Sequence, residues 1–269
     1  MPGAGALALV PGLESGAAPL SIERLRGGTV NDSWCVETSA GRFVLRLDGA
    51  EWRRPGVDRA RERALHAAAA HGGLAPALVA YSTAEGAQVS VYVDGHDWIE
   101  ERFSAPAQLE RLGERLHRLH ALTPPEGLVE FDPQSCARDY LGRLAPGIGA
   151  RVGAAAVVDR VGEAAATVAS TSARTCIIHG DLAPGNLREG TRLWLLDWEY
   201  AQRARPGYDV ACVLAYYPMA RPHQARLLAA AGLEAHVDAL GAAIYVYEAL
   251  TWLWRLARGE PARPPPGAR

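Results

Sequence analysis

Lysine is absent from the 269 residues, so all 28 residues counted as Lys plus Arg are arginines. The accompanying surplus of Ala, Gly, Arg and Pro marks coding bias, and an arginine standing where other proteins use lysine carries little special meaning by itself. Cysteine is sparse. Cys35, Cys136, Cys176 and Cys212 are widely spaced and form no C-x-x-C pair, which removes the usual thiol signature of metal or redox chemistry and leaves buried, reduced thiols. An excess of one charge is missing too: a net charge of −2 gives no electrostatic footprint for nucleic acid or an anionic membrane as partner. No apolar run is long enough to span a bilayer. The opening MPGAGALALVPGL has no basic n-region and is interrupted by Pro and Gly, so residues 1–20 read as a loose N-terminal arm rather than a signal peptide. No internal repeat occurs. These absences lead to the expectation of a cytoplasmic protein. With 49% apolar and 22% charged residues, the chain has the composition and length for one large domain or two modest lobes.

Strand signals come first. Ser33-Trp34-Cys35-Val36-Glu37-Thr38, a Ser-Ala-Gly turn and Arg42-Phe43-Val44-Leu45-Arg46-Leu47 predict a β-hairpin. A helix follows, N-capped by Asp58, with Ala60, Ala64, Leu65, Ala68 and Ala69 on its apolar face and His71-Gly72-Gly73 at its end. Residues 79–81 and 89–93 read as two more strands, so residues 21–95 predict a small sheet with one helix. The remainder is mainly helical. Leu109, Leu112, Leu116 and Leu119 form an apolar stripe, and residues 151–170 and 207–258 carry helical signals, the latter broken near Pro222 and Gly232. Between them lie a short strand and a hairpin made by residues 186–188 and 193–196 around Glu189-Gly190. Residues 259–269 form a Pro-rich tail, expected to be mobile.

Two polar clusters interrupt this frame. The first is CIIHGDLAPGNL, residues 176–187, in which an apolar strand runs into His179-Gly180-Asp181 and then Asn186. A polar turn with an Asx cap, a metal site and the working loop of a phosphoryl-transfer enzyme all fit that string. Phosphoryl transfer needs a carboxylate near the attacking hydroxyl and oxygen ligands for Mg²⁺. Asp181 is spaced to orient the hydroxyl and accept its proton, while Asn186 offers a neutral carbonyl oxygen to a hard cation. His179 braces the loop rather than reacts. The second cluster is LLDWEY, residues 195–200, just past the hairpin. The fold-back of residues 187–196 returns Asp197 beside Asn186, which makes one Mg²⁺ site of the two. The bland alternative is a strand end with solvated acids.

Residues 179–186 together with Asp197-Trp198-Glu199-Tyr200 resemble the choline/thiamine kinase and aminoglycoside phosphotransferase superfamily. The Asp-aromatic-Glu-Tyr form is most similar to its choline, ethanolamine and thiamine kinase branch, and the resemblance runs over about residues 20–258. It implies an α+β, two-lobed protein-kinase-like fold. Residues 21–95 become a nucleotide-binding N-lobe and residues 96–258 a C-lobe with the catalytic loop and substrate site. It further implies Asp181 as catalytic base, Asn186 and Asp197 as holders of Mg²⁺, and Glu199 near the substrate or a second metal, with ATP as donor. The stretch from Leu25 to Trp34 is similar to the family's strand-turn-strand over the ATP phosphates. Gly27 and Gly28 would allow close backbone approach, and Asn31 and Ser33 offer donors to phosphate oxygens. This is not the protein-kinase G-x-G-x-x-G pattern, and a Gly-Gly turn alone is often only a turn. Arg46 falls where the family's basic residue meets the phosphates, with Glu62 of the next helix as partner. The other reading of Glu62 is a solvated helix charge beside Arg59 and Arg63. Tyr92 and Val93 fall at the hinge, with backbone groups facing adenine. His120 matches a familiar helix end and reads as structural. Asp209 is expected to support the metal loop by hydrogen bonds, to cap a helix, or both.

The last helix carries Glu248 and Trp252 four residues apart on one face, and its Trp-x-Trp pair resembles the C-terminal helix of choline and thiamine kinases. Aromatic faces and a carboxylate would hold a quaternary ammonium or thiazolium, at ~0.5–2 kcal/mol per cation–π contact. The alternative places one or both tryptophans in the core, and Trp254 is assigned there. The expected lining is thus Glu199, Tyr200, Glu248 and Trp252, with few extra carboxylates. That favours a small single cation or an uncharged alcohol. The expected activity is an ATP- and Mg²⁺-dependent O-phosphotransferase for a small-molecule alcohol. An aminoglycoside or amino-sugar phosphotransferase is the alternative, and a non-catalytic kinase-fold binding protein is the alternative of another class. A dinuclear metallophosphatase would need further histidine and aspartate motifs that the chain lacks.

Overall fold

The computed structural model describes residues 1–14, 16–25, 31–49, 55–171, 173–234 and 237–265, without the side chains at 150, 151 and 237. Gly27 and Gly28, the expected phosphate-loop glycines, lie outside the described residues.

A five-stranded antiparallel sheet forms the first half. Its strands are β1 (Ser21–Arg24), β2 (Asp32–Thr38), β3 (Gly41–Leu47), β4 (Leu78–Ser82) and β5 (Ala87–Val91), in the order β1-β2-β3-β5-β4. The register pairs Ser33 with Arg46 and Trp34 with Leu45. Strand alternation then sorts the side chains: Trp34, Val36, Phe43 and Leu45 are buried on one face, and Arg46 points to the other. The apolar face is covered by the N-terminal segment. Helix α1 (Ala4–Leu7) and the residues after it bury Ala6, Val10 and Leu13 in one cluster with the sheet residues. The segment expected to be a loose arm is therefore a packed lid on the sheet. The physical cause is that the sheet's apolar face would otherwise stand in water.

The opposite face meets α2 (Arg59–His71), whose N-cap is Asp58 as expected, accepting from the amides of Ala60 and Arg61. Leu65 and Ala69 of α2 join the larger core of the second half, so the two halves share packing. Beyond a short pairing segment β6 (His96–Asp97), the chain builds α3 (Pro106–His120), α4 (Pro133–Gly142), α5 (Ile148–Arg151) and α6 (Ala154–Thr171). The predicted leucine stripe of α3 is wholly buried. Next come β7 (Cys176–Ile178), β8 (Leu187–Glu189), β9 (Leu193–Leu195) and β10 (Gln202–Ala204), then α7 (Gly207–Tyr216), α8 (Gln224–Ala230) and α9 (Val237–Ala257). Helix α4 and strand β10 carry no strong periodicity and were not read from the sequence. Both matter, because α4 packs on α6 and α9, and β10 pairs antiparallel with β7. The tail is also less loose than expected: Ala262 packs on the core and Pro265 is buried. No helix among the described residues is long and apolar enough to cross a membrane.

Candidate active site

Strand β7 is buried along its length and delivers His179-Gly180-Asp181 to the cleft side of the core. Gly180 has φ +77, and a Cβ there would lie 2.6 Å from the Tyr200 carbonyl oxygen, so the turn requires glycine. Asp209, in the first turn of α7 and 0% exposed, fastens this turn. Its carboxylate accepts from the amides of His179 (3.1 Å) and Gly180 (2.9 Å) and bonds His120 Nε2 at 2.9 Å. This is the expected loop support, and it gives His120 its structural task. His179 is enclosed, and burial holds its imidazole below the ordinary histidine range. It is therefore neutral near pH 7. Its partners assign the tautomer: Nε2–H donates to the Leu196 carbonyl at 2.9 Å, and Nδ1 accepts from the Asp181 amide at 3.3 Å. The histidine thus ties the two polar clusters together through their backbones.

Asn186 donates from Nδ2 to the Asp181 carbonyl (2.9 Å) and to its carboxylate Oδ2 (3.0 Å). With the amide nitrogen spent there, the amide oxygen is the group a hard cation would take. The hairpin pairs Leu187 with Leu195, and the Asn186 carbonyl accepts from the Leu196 amide at 2.8 Å, which brings Asp197 next to Asn186 in the chain's fold-back. Asp197 has φ +57, the non-glycine residue with positive φ among those described. Aspartate accepts this left-handed geometry more readily than most residues. The neighbouring Trp198 is buried, its ring stacked on His66 of α2 at 6.2 Å and edge-on to His179 at 4.8 Å.

Two arginines neutralise part of the acid in the cleft. Arg46 Nη1 pairs with Glu62 at 2.6 Å and reaches Asp197 at 3.4 Å, so the predicted Arg46–Glu62 pair is present and nearly solvent-free. Arg59, named above only as a local partner in the alternative reading of Glu62, is buried. It contacts Glu62 (2.6 Å), Asp48 (2.7 Å), Glu199 (3.2 Å) and Asn31 Oδ1 (3.0 Å). Asn31 in turn donates to Glu199 Oε2 at 2.9 Å, so both ends of its amide are engaged within this cluster and its side chain is not turned to phosphate as expected. The acids still prevail locally: burial first, then the charge of Glu199, push the Asp197 carboxyl up to about 7 against the opposing pull of Arg46. That excess of carboxylate, with the oxygen donors of Asn186 and Asp197, fits a divalent cation. No set of three or more His, Cys, Asp or Glu among the described residues is arranged for a metal. An ion here would rest on Asn186 and Asp197 and complete its shell with phosphate and water, as Mg²⁺ does in nucleotide sites.

At the hinge, Arg188 of β8 donates to the Val93 carbonyl (2.9 Å) and to the Tyr92 hydroxyl (2.9 Å), and pairs with Asp97 at 2.8 Å. Arg42 lies 4.2 Å from the Tyr92 ring centroid. Tyr92 and Val93 are thus clamped by side chains, and the Tyr92 amide donates to the Arg42 carbonyl at 2.9 Å. Ser33 sits in β2 opposite Arg46.

The residues assigned to the substrate side separate. Glu199 is buried and turned to Asn31 and Arg59. Tyr200 packs its ring beside Gly56, and Glu248 pairs with Arg221 at 3.1 Å. Trp252 is 3% exposed and belongs to the core, because α9 buries this face against α6 and α7. Trp254, assigned to the core, is half-buried with the Arg258 guanidinium 5.0 Å over its ring. An aromatic pair with no motif of its own stands at the end of α7. Tyr216 and Tyr217 have hydroxyls pushed up by burial, and Tyr217 belongs to the core, its ring stacked on Phe103 at 3.8 Å. Tyr216 accepts from Thr251 Oγ1 at 3.4 Å and meets the Tyr247 ring at 6.0 Å.

Residues 21–253 match the model of the phosphotransferase enzyme family. A choline/ethanolamine kinase family protein from Mesorhizobium loti is similar in structure, with a TM-score of 0.74 and 25% identity over 97% of this chain and 87% of that one. The choline kinase LicA from Streptococcus pneumoniae gives 0.75 and 18%, over 92% of this chain and 88% of its own. A spectinomycin phosphotransferase in complex with ADP and its antibiotic gives 0.61 and 12%, over 91% and 86%. A search of curated protein sequences gives no significant match.

Proposed function

From the premise that the chain belongs to the phosphotransferase enzyme family, we propose that it moves the γ-phosphate of ATP, with Mg²⁺, to the hydroxyl of a small cationic alcohol of the choline, ethanolamine or thiamine kind. The observation that carries the reading is the joining of Asp181, Asn186 and Asp197 by backbone and side-chain hydrogen bonds, facing the buried Arg46–Glu62 pair. Asp181 is the base. Its carboxylate, held by Asn186, orients the acceptor hydroxyl and takes its proton as the oxygen attacks phosphorus. Arg46 supplies a fixed positive charge to the phosphates, its own position set by Glu62. Asn186 and Asp197 would hold Mg²⁺, whose chemistry is to offset the charge on the transferring phosphoryl group. His179, neutral, keeps the two loops in register.

For the acceptor, the similarity to choline and ethanolamine kinases supports a compact cation. Glu248 pairs with Arg221, which leaves that carboxylate less available to a cationic acceptor. An ATP-consumption screen over thiamine, choline, ethanolamine, amino sugars and aminoglycosides tests this. Turnover with one of the first three is the expected result. Turnover confined to aminoglycosides would overturn the acceptor class, and ATP binding without turnover of any acceptor would favour a binding protein.

A further inference from the structure

We propose that Arg59 is a positioning residue that locks the metal-binding loop of the C-lobe to the phosphate-facing edge of the N-lobe, through Glu199 and Asn31. The inference rests on the nucleotide-site reading above and adds to it a residue that no motif assigned.

Arg59 is the first residue of α2 and nine-tenths or more buried, an unusual place for a cation at a helix N-terminus, where the dipole disfavours positive charge. Its position is explained by what it holds. The guanidinium reaches Asp48 at the end of β3, Glu62 one turn along α2, Asn31 at the start of β2, and Glu199 in the loop after β9. Three of these belong to the N-terminal half. Glu199 belongs to the C-terminal half and stands two residues from Asp197. Asn31 closes the circuit by donating to the same Glu199 oxygen, Oε2, that Arg59 contacts. The opposite end of the circuit is Arg46, which bridges Glu62 and Asp197. Asp197 and Glu199 are therefore each tied to an N-terminal-half arginine, and both arginines are tied to Glu62.

The consequence concerns Glu199. It stands two residues from Asp197 in the same loop, and its carboxylate is held by Arg59 at 3.2 Å and by Asn31 at 2.9 Å. Bound by Arg59 and Asn31, it is drawn towards the N-terminal half, and the loop that carries Asp197 is drawn with it. Arg59 acts through Glu199 and Asn31, not on substrate. A planar fork suits the task, because it can address acids on several sides while keeping its charge when buried. Lysine would present a single nitrogen in place of the fork.

The test measures ATP affinity by calorimetry on the full chain, in EDTA and in excess Mg²⁺, for wild type, Arg59→Gln, Arg59→Lys, Glu199→Gln and the Arg59→Gln/Glu199→Gln double variant. Arg226→Gln, which breaks an exposed pair with Glu110, is the control. Wild type is expected to bind more tightly with Mg²⁺. Arg59→Gln is expected to lose ~10-fold or more of that Mg²⁺-dependent gain while its affinity in EDTA changes by less than ~3-fold. Arg59→Lys recovers part of the gain, and the double variant is no worse than the worse single one, the signature of residues acting as one unit. Asn31→Ala, which cuts one bond to Glu199 and removes no charge, repeats the measurement if Arg59→Gln folds poorly. An unchanged Mg²⁺ gain in a folded Arg59→Gln or Asn31→Ala, or additive losses in the double variant, would overturn the latch and leave the phosphotransferase reading standing. A wild type that binds no ATP would overturn both.

Discussion

Replacing Asp197 with asparagine is expected to stabilise the metal-free protein at about pH 8 and to leave it nearly unchanged near pH 4. The folded cleft raises this carboxyl from an ordinary 3.8 to about 7, by burial first and by Glu199 second. An acid raised in the folded state contributes its full stability below the unfolded value and loses it as pH rises through the folded value, since the unfolded chain gives up the proton first and the native site must finally carry a charge that it disfavours. The wild type is therefore expected to lose stability between about pH 4 and pH 7. In a fully buried site that displacement corresponds to about 4 kcal/mol. The Asp197 side chain is 35% exposed, so water screens the charge and the working figure is about 1–2 kcal/mol. Asparagine isolates the charge, because it matches aspartate in shape and tolerates the φ of +57. Urea unfolding in EDTA at about pH 4.5, 6 and 8 reads the difference, which should widen with pH in favour of the variant. A variant less stable than wild type at pH 8 would refute the reasoning. It would mean that Arg46 outweighs the surrounding acids and that the carboxylate excess invoked for Mg²⁺ is not there.

Three further outcomes are expected. Asp181→Ala should lower turnover by ~10²–10⁴-fold with ATP affinity largely kept, and steady-state kinetics beside calorimetry would expose a different split. Asp209→Ala leaves two buried amides and His120 without their acceptor, so it should cost about 3–5 kcal/mol of unfolding free energy, whereas Asp209→Asn, which keeps an acceptor for the amides, should cost clearly less in the same denaturant titration. Burial lowers the His66 imidazole, so the unfolded chain takes up a proton that the native site resists. Stability is then lost as pH falls through about 6.5, by at most ~1.4 kcal/mol per pH unit for this group, and His66→Gln should flatten that limb of the pH–stability curve.

How much of this was legible depended on whether the determining contacts were local. The β2–β3 hairpin, the Asp58 cap and the α3 stripe follow from neighbours in the chain, and each stands where periodicity and capping put it. The spacing of Asp181 and Asn186 and the fold-back to Asp197 are local as well. The hairpin that joins them spans only residues 187–195, so its register was readable. The failures are tertiary. The N-terminal segment looks loose until the sheet face that it covers exists. Trp252 looks like pocket lining until α6 and α7 pack on its side of α9. Tyr216 has no motif around it, and only the packing of α7 on α9 brings it to Thr251 and Tyr247.

Arg59 shows most clearly why pattern alone misled. At the start of a helix with Glu62 three residues on, it has the look of an exposed ion pair, and its partners Asn31 and Glu199 are 28 and 140 residues away in sequence. The same residue changes what the missing lysines mean. Coding bias accounts for their absence, yet the cleft uses a property that lysine lacks. Arg59 addresses three acids and an amide from two nitrogens of a planar fork, where an ammonium offers one. Five carboxylates, those of Asp48, Glu62, Asp181, Asp197 and Glu199, converge in a chain whose overall charge is only −2. Among the described residues, the two arginines that pair with them, Arg46 and Arg59, do not balance them. The near-neutral total thus conceals a local deficit of positive charge at the point where a divalent ion and a phosphoryl group would meet, and the arginines fix the geometry of that deficit without removing it.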